Sequence, residues 1–180
     1  MSLEREVLAS LRDVHDFPKP GVIFKDISPL LSDGALFERV TDWLVEIFRG
    51  DDVTHVLGIE SRGFLFGTPV AHRLGAGFAP ARKPGKLPWH TIRETYNLEY
   101  GHDGLEVHED AFGKGDRVLV IDDLLATGGT AAAACALVER LGATVVGIGV
   151  VLELEALGGR NRISGRRLEV LATIADREIP

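Results

Sequence analysis

A chain of 180 residues, 45% of them hydrophobic, has room for one domain with a full core and not for two of ordinary size. A formal charge of −7 speaks against a nucleic-acid surface, which needs clustered lysine and arginine, and no apolar run approaches a membrane span, so a cytoplasmic protein without nucleic-acid or membrane partners is expected. The single cysteine, Cys135, excludes a disulfide within the chain, and six scattered histidines lack the close spacing of a zinc site.

In chain order, Leu3, Val7, Leu8 and Leu11 recur at helical spacing and predict a short accessory helix. Phe17-Pro18-Lys19-Pro20-Gly21 breaks any helix, because each proline biases the residue before it toward extended geometry. From composition alone, Val22 to Ile27 is a short edge segment covering the core. Asp33 is the expected N-cap of a helix that carries Leu36, Phe37, Val40, Trp43, Leu44 and Ile47 on one face and ends at Gly50. A strand from Val53 to Ile59 runs into the polar turn Glu60-Ser61-Arg62-Gly63 and then a helix over 64–74, closed by Gly75. Such a turn offers backbone donors, and Arg62 adds a fork of N–H groups suited to a diphosphate.

Phe78 to Arg82 leads into Lys83-Pro84-Gly85-Lys86-Leu87-Pro88-Trp89-His90, too rich in proline and glycine for regular structure. It gathers Arg82, Lys83 and Lys86 in an acidic protein, which predicts a lid that closes on a departing anion and excludes water. Tyr96 to Gly101 and Leu105 to His108 alternate like the strands of a hairpin turning at His102-Asp103-Gly104. Further on, Val145 to Leu152 is apolar, Leu154 is a core leucine or a pocket wall, Arg160, Arg162, Arg166 and Arg167 mark a solvated loop or a subunit contact, and Leu168, Val170 and Leu171 end the sheet. Alternating strands and helices imply an α/β fold, a mostly parallel twisted sheet with helices on both faces.

The richest stretch runs from Val118 to Thr130. Val118 to Ile121 is an unbroken, mostly β-branched apolar run, as in a strand buried on both faces of a parallel sheet. Asp122 and Asp123 follow, just past the strand's carboxyl end, where open α/β sheets bind ligands. Ala126-Thr127-Gly128-Gly129-Thr130 then enters an alanine-rich helix over 131–141, stopped by Gly142. Glycines that turn amides inward, threonine hydroxyls and a helix N-terminus together would cradle a phosphate. Aspartates cannot face that same phosphate, so they address a diol or a cation beside it, and a ribose 5-phosphate meets both demands. The lysine of a nucleotide P-loop and the Gly-x-Gly-x-x-Gly fingerprint are both absent. An Asp-Asp pair holding Mg²⁺, and a plain strand-to-helix turn with solvated aspartates, are the competing readings.

This string resembles the phosphoribosyl-diphosphate signature of type I phosphoribosyltransferases, and Asp122 to Thr130 is similar in wording to the family's adenine branch. Glu60 to Phe64 is similar to the family's diphosphate-side loop, and Pro20 to Pro29 to a segment that forms part of a hood over the base. The resemblance implies a single phosphoribosyltransferase domain in which residues 1–34 contribute the hood, Phe24 stacks on the purine, backbone groups of Val22 and Lys25 read its edge, and Leu154 closes the pocket. By the same resemblance, Asp122 and Asp123 hold the ribose diol and Ala126, Thr127, Gly128, Gly129 and Thr130 hold the 5-phosphate. Arg62, Arg82, Lys83 and Lys86 face the diphosphate. Glu99, an outward strand residue by pattern, becomes the carboxylate that manages a base proton, and with Arg62 and Lys86 makes the catalytic set. The implied substrates are adenine and 5-phosphoribosyl 1-diphosphate, the latter carrying Mg²⁺ with no metal held by the protein, and the implied assembly is a homodimer. Two alternatives are a sister enzyme for xanthine, hypoxanthine-guanine or orotate, and a non-catalytic regulator that binds the sugar diphosphate. The cationic lid and the lack of a basic face count against the regulator.

Overall fold

The computed structural model describes residues 1–98 and 101–175. Helix α1 (Leu3–Ser10) is followed by strands β1 (Arg12–His15) and β2 (Ile23–Asp26), which pair antiparallel with Asp13 opposite Lys25 and Val14 opposite Phe24. Helices α2 (Ser28–Ser32) and α3 (Gly34–Phe48) come next, and the Asp33 side chain caps α3 by accepting from the N–H groups of Ala35 and Leu36. Strand β3 (His55–Ile59), helix α4 (Gly63–Leu74) and strand β4 (Gly77–Ala81) form a first βαβ unit, with Gly75 ending α4 at φ 67°. A hairpin of β5 (Thr91–Leu98) and β6 (Gly101–His108) precedes β7 (Arg117–Leu125), α5 (Gly129–Arg140) and β8 (Thr144–Leu154). Two short 3-10 turns, Glu155–Leu157 and Gly159–Ile163, lead to β9 (Leu168–Ile174).

The five long-range strands form one parallel sheet in the order β4-β3-β7-β8-β9, with β7 in the middle. Both faces of β7 are covered, which is why its sequence is apolar without alternation: Val118 and Val120 pack with α5 residues such as Ala134 and Leu137, while Leu119 and Ile121 pack with Leu44, Phe48 and Phe66 of α3 and α4. Val7, Ile27 and Leu30 of the N-terminal segment join this second core. Cys135 is buried in α5, and burial pushes its thiol up to about 12, so it acts as a small apolar side chain. Among the described residues no helix is long and apolar enough to cross a membrane.

The residues leading into the 83–90 segment form β4, which lies at the edge of the sheet, where Pro80 is tolerated because the ladder is paired on one side among the described residues. Three features depart from the sequence expectations. Strand β7 does not stop at Ile121: its pairing to β3 ends there, but β8 carries it on through Asp122 opposite Val150 to Leu125 opposite Glu153. The hairpin register runs from Thr91 opposite His108 to Leu98 opposite Gly101, so Asp103 lies inside β6 opposite Tyr96 and not at the turn. The long ladder outweighs the local turn chemistry of Asp-Gly. Finally, three of the four late arginines are fasteners: Arg160 pairs with Glu153, Arg166 with Glu139, and Arg167 with Asp51 and Glu169.

Candidate active site

Where β7 outruns β3, the start of α4 and the β5–β6 hairpin leave a cavity of about 250 Å³ over the rim of the sheet. Asp122 and Asp123 both line it, with Glu60, Arg62, Lys83, Tyr96, Asp103 and Thr130. A smaller hollow of about 70 Å³ adjoins it, walled by Ala126, Thr127, Gly128, Thr130 and Ala131. Asp122 and Thr130 line both spaces. Helix α5 rises from the smaller one with no side-chain cap, so the N–H groups of its first turn have no intrahelical partner and face an open hollow. Gly128 turns the chain there at φ 77°, a left-handed conformation that glycine adopts without a Cβ penalty.

The carboxylates are held in contrasting states. Asp122 accepts from the Asp123 N–H at 2.9 Å, and burial, followed by the neighbouring Asp123 charge, drives its pKa well above the usual carboxylate range. Asp123 is 4% exposed, and burial raises its pKa too, against the opposing pull of Arg62. Arg62 Nε lies 2.9 Å from Asp123 Oδ2, close enough for an ion pair, yet that oxygen has no aligned hydrogen-bond partner among the described residues. Glu60 and Asp103 go the other way. Burial pushes each up, but the Lys83 N–H and Arg82 hold Glu60 below its ordinary value, and Lys83 Nζ with the Gly104 N–H does so for Asp103.

The cations of this rim are thus already engaged by the protein's own acids. Lys83 Nζ donates to Asp103 Oδ2 at 2.9 Å, and Arg82 reaches Glu60 at 3.3 Å while also donating to the Lys86 carbonyl at 3.1 Å. Tyr96 links hairpin and hollow, its hydroxyl accepting from Thr130 Oγ1 at 3.2 Å; burial of the ring raises its pKa. On the other side, Arg62 stands over the Phe24 ring at 5.1 Å from its centroid, and Phe17 meets that ring edge-on at 5.2 Å.

The structure therefore brings together Asp122, Asp123, Arg62, Lys83, Thr130 and the loop at 126–128, and puts Phe24 beside them through Arg62. It places others apart. Gly129 starts α5, its Cα facing Tyr96 and Arg162. Val22 spends its N–H on Lys19 and its carbonyl on Phe17, each at 3.3 Å. Lys25 turns its ammonium to Asp13 at 2.9 Å. Lys86 is exposed, and Arg82, Lys86 and Leu154 are not among the residues lining the cavity. Glu99 lies outside the described residues. Lys83 to His90 has neither helix nor strand, as its composition requires. Sequence reasoning assigned no role to Tyr96 or Asp103, and treated Glu60 only as part of a turn. Their signal is spatial, since the hairpin register and the β3 terminus carry them to the cavity.

Comparison with known proteins gives concordant results. The family model described as "Phosphoribosyl transferase domain" matches residues 27–170. A curated relative from Myxococcus xanthus, adenine phosphoribosyltransferase, is 56% identical over 172 residues, covering 96% of this chain and 94% of its own. The solved adenine phosphoribosyltransferase of Thermoanaerobacter pseudethanolicus superposes with a TM-score of 0.92 at 46% identity, over 96% of this chain and 100% of that one. The Saccharomyces cerevisiae enzyme, crystallised with D-2,5-dideoxy-2,5-imino-altritol 1,6-bisphosphate and adenine, gives 0.87 at 39% identity, over 94% and 98% of the two chains. The sheet that outruns its neighbour at two aspartates, the uncapped helix beside them and these similarities agree: the chain belongs to the phosphoribosyltransferase family, in its adenine phosphoribosyltransferase branch.

Proposed function

We propose that the protein transfers the phosphoribosyl group of 5-phosphoribosyl 1-diphosphate to adenine, giving AMP and diphosphate in purine salvage, as a cytoplasmic homodimer. The observation that carries this reading is the shared wall: Asp122 and Thr130 belong to both the rim cavity and the uncapped hollow, so one pentose can present its diol to one and its 5-phosphate to the other.

In the reaction, N9 of adenine forms a bond to C1 of the ribose as the bond from C1 to the diphosphate oxygen breaks, and the N9 proton leaves to a base. Positive charge builds on the sugar ring and negative charge on the leaving group. Asp122 and Asp123 accept from the ribose hydroxyls and put negative potential beneath the ring. The amides and hydroxyls of Ala126 to Thr130 fix the phosphate end, which is positioning with no covalent step. Arg62 and Lys83, released from Asp123 and Asp103, take the diphosphate, while Arg82 and Lys86 in the following segment close over it. Phe24 offers its ring to the base once Arg62 moves toward the diphosphate, with backbone groups of Val22 and Lys25 at the purine edge and Leu154 behind it. Residues 1–34 thereby serve as the hood. Glu99, by family resemblance, receives the N9 proton. Mg²⁺ enters as part of the sugar-diphosphate substrate; the pairing of Glu60, Asp103 and Asp123 with Arg82, Lys83 and Arg62 supports a reading in which the ion comes with the substrate.

Diphosphate release measured over a panel of adenine, hypoxanthine, guanine, xanthine and orotate tests the reading. Adenine is expected to be the preferred acceptor by a wide margin. Preference for another base would reassign the substrate, and binding of the sugar diphosphate without turnover on any base would make the protein a sensor.

A further inference from the structure

The phosphate hollow has a back wall, and that wall is backbone. A Cβ at Gly128 would run into the carbonyl oxygen of Gly159. A Cβ at Gly159 would run into the carbonyl oxygen of Ala126 and would sit 3.0 Å from Leu125 Cγ and 3.1 Å from the Gly128 nitrogen. The two glycines thus let the 3-10 turn at Gly159–Ile163 lie directly against the loop, with no side chain between them. Their reasons for being glycine differ. Gly128 has a φ of 77°, whereas Gly159 is not in the left-handed region, so only the lack of space excludes a side chain there.

The next residue holds the turn in place. Arg160 Nε donates to both carboxylate oxygens of Glu153, at 2.7 and 2.9 Å, and Arg160 Nη2 donates to Oε2 at 2.7 Å. Glu153 is 2% exposed, so this carboxylate is buried and anchored by a planar fork. It sits in β8 opposite Leu125, the residue from which the phosphate loop springs. The anchor and the loop therefore start from the same rung of the sheet, and the turn between them cannot retreat without dragging a buried charge away from its partner.

We propose that Gly159 and the Arg160–Glu153 pair are positioning residues for the sugar phosphate: they set the height of Ala126 to Gly128 and so the aim of the amides around the 5-phosphate. This rests on the assignment of the hollow to that phosphate given above. A methyl group at position 159 has to push the loop forward into the hollow, because the wall behind it is pinned. The cations that take the diphosphate, Arg62 and Lys83, stand at the start of α4 and just after β4, away from the displaced loop.

The test is calorimetric titration of full-length Gly159→Ala and Arg160→Lys with ribose 5-phosphate and, separately, with inorganic diphosphate. Gly159→Ala is expected to weaken ribose 5-phosphate binding by about 10- to 100-fold, the scale of losing one hydrogen bond to a charged group, with diphosphate binding unchanged. Arg160→Lys keeps the charge and loses the fork, and should show a smaller loss in the same direction; it also serves if the alanine variant fails to fold. Unchanged ribose 5-phosphate affinity in the folded variants overturns the proposal. So does an equal loss for both ligands, which would mark general destabilisation. Wild-type protein that binds no ribose 5-phosphate would sink the functional reading itself, and this inference with it.

Discussion

On the function proposed above, the two halves of the site bind anions in opposite ways. The phosphate hollow is made of backbone: unpaired amides at the start of α5, a left-handed glycine, and a second glycine packed behind it. The diphosphate rim is made of side chains, and in the free protein the cations closest to the cavity each lean on an acid, Arg62 on Asp123, Lys83 on Asp103 and Arg82 on Glu60. Backbone donors are fixed before the ligand arrives and lose little freedom on binding. Side-chain cations must change partners. On the proposed reading, the difference lets a protein of net charge −7 host a polyanion, because each rim cation is balanced by an acid until substrate takes its place. It also predicts that substitutions on the backbone side act through affinity for the phosphate, and those on the rim act through charge exchange.

The largest effect is expected where the two halves meet. Asp122→Asn with Asp123→Asn should lower kcat/KM by on the order of 10³-fold, the scale of losing preorganised electrostatic groups, while leaving the fold intact. The same change should raise the melting temperature. Both carboxyls have folded pKa values above the unfolded one, so their contribution to stability is fully present below the ordinary carboxylate range and is lost as pH rises through the raised values. From about pH 4 upward the wild-type melting temperature should carry a downward component that the double variant lacks, and thermal scans across pH measure it. Equal melting curves would mean the pair is less buried than its geometry shows.

Next comes Arg62, which touches both halves of the substrate path. Arg62→Gln should cost about 30-fold or more in kcat/KM, as expected when one partner of a close charge pair is removed. It should also move the acid limb of the pH–rate profile to higher pH, because Arg62 is the main group opposing the burial that raises Asp123. An unmoved acid limb would separate Arg62 from Asp123 in the reaction. Phe24→Leu keeps apolar bulk without the aromatic face, and should raise the KM for adenine roughly two- to tenfold with the KM for the sugar diphosphate unchanged. The smallest effect should come from Asp103→Asn. It frees Lys83 from a solvent-accessible pair, so diphosphate should inhibit more tightly, by up to about fivefold. Weaker inhibition would show that Asp103 orients Lys83 and does not compete for it.

Much of this was legible in the chain. The mostly β-branched run at 118–121, the aspartate pair, and the Thr-Gly-Gly-Thr loop lie next to one another in sequence, and their order alone brings carboxylates close to helix-start amides, although it did not show that the strand runs on through the carboxylates to Leu125. Helix α3 could be read from Asp33 and the apolar spacing after it, because its cap and its stripe are both local. The hairpin register could not. Period-two patterning fits several pairings, and only the full ladder decides that Asp103 faces the cavity instead of forming a turn. Nor could the arginines at 160–167 be assigned, since Glu153, Glu139 and Asp51, the acids that take Arg160, Arg166 and Arg167, lie on β8, on α5 and in the turn before β3.

By itself the sequence determined the succession of strands and helices, the buried central strand, and the chemical identity of the groups at its end, all of which follow from short-range spacing and side-chain type. Only the tertiary structure decided which cation leans on which acid, that Tyr96 ties the hairpin to the phosphate loop, and that Gly159 stands behind Gly128. Those relations depend on distances between segments far apart in the chain, and packing fixes such distances where local propensity does not.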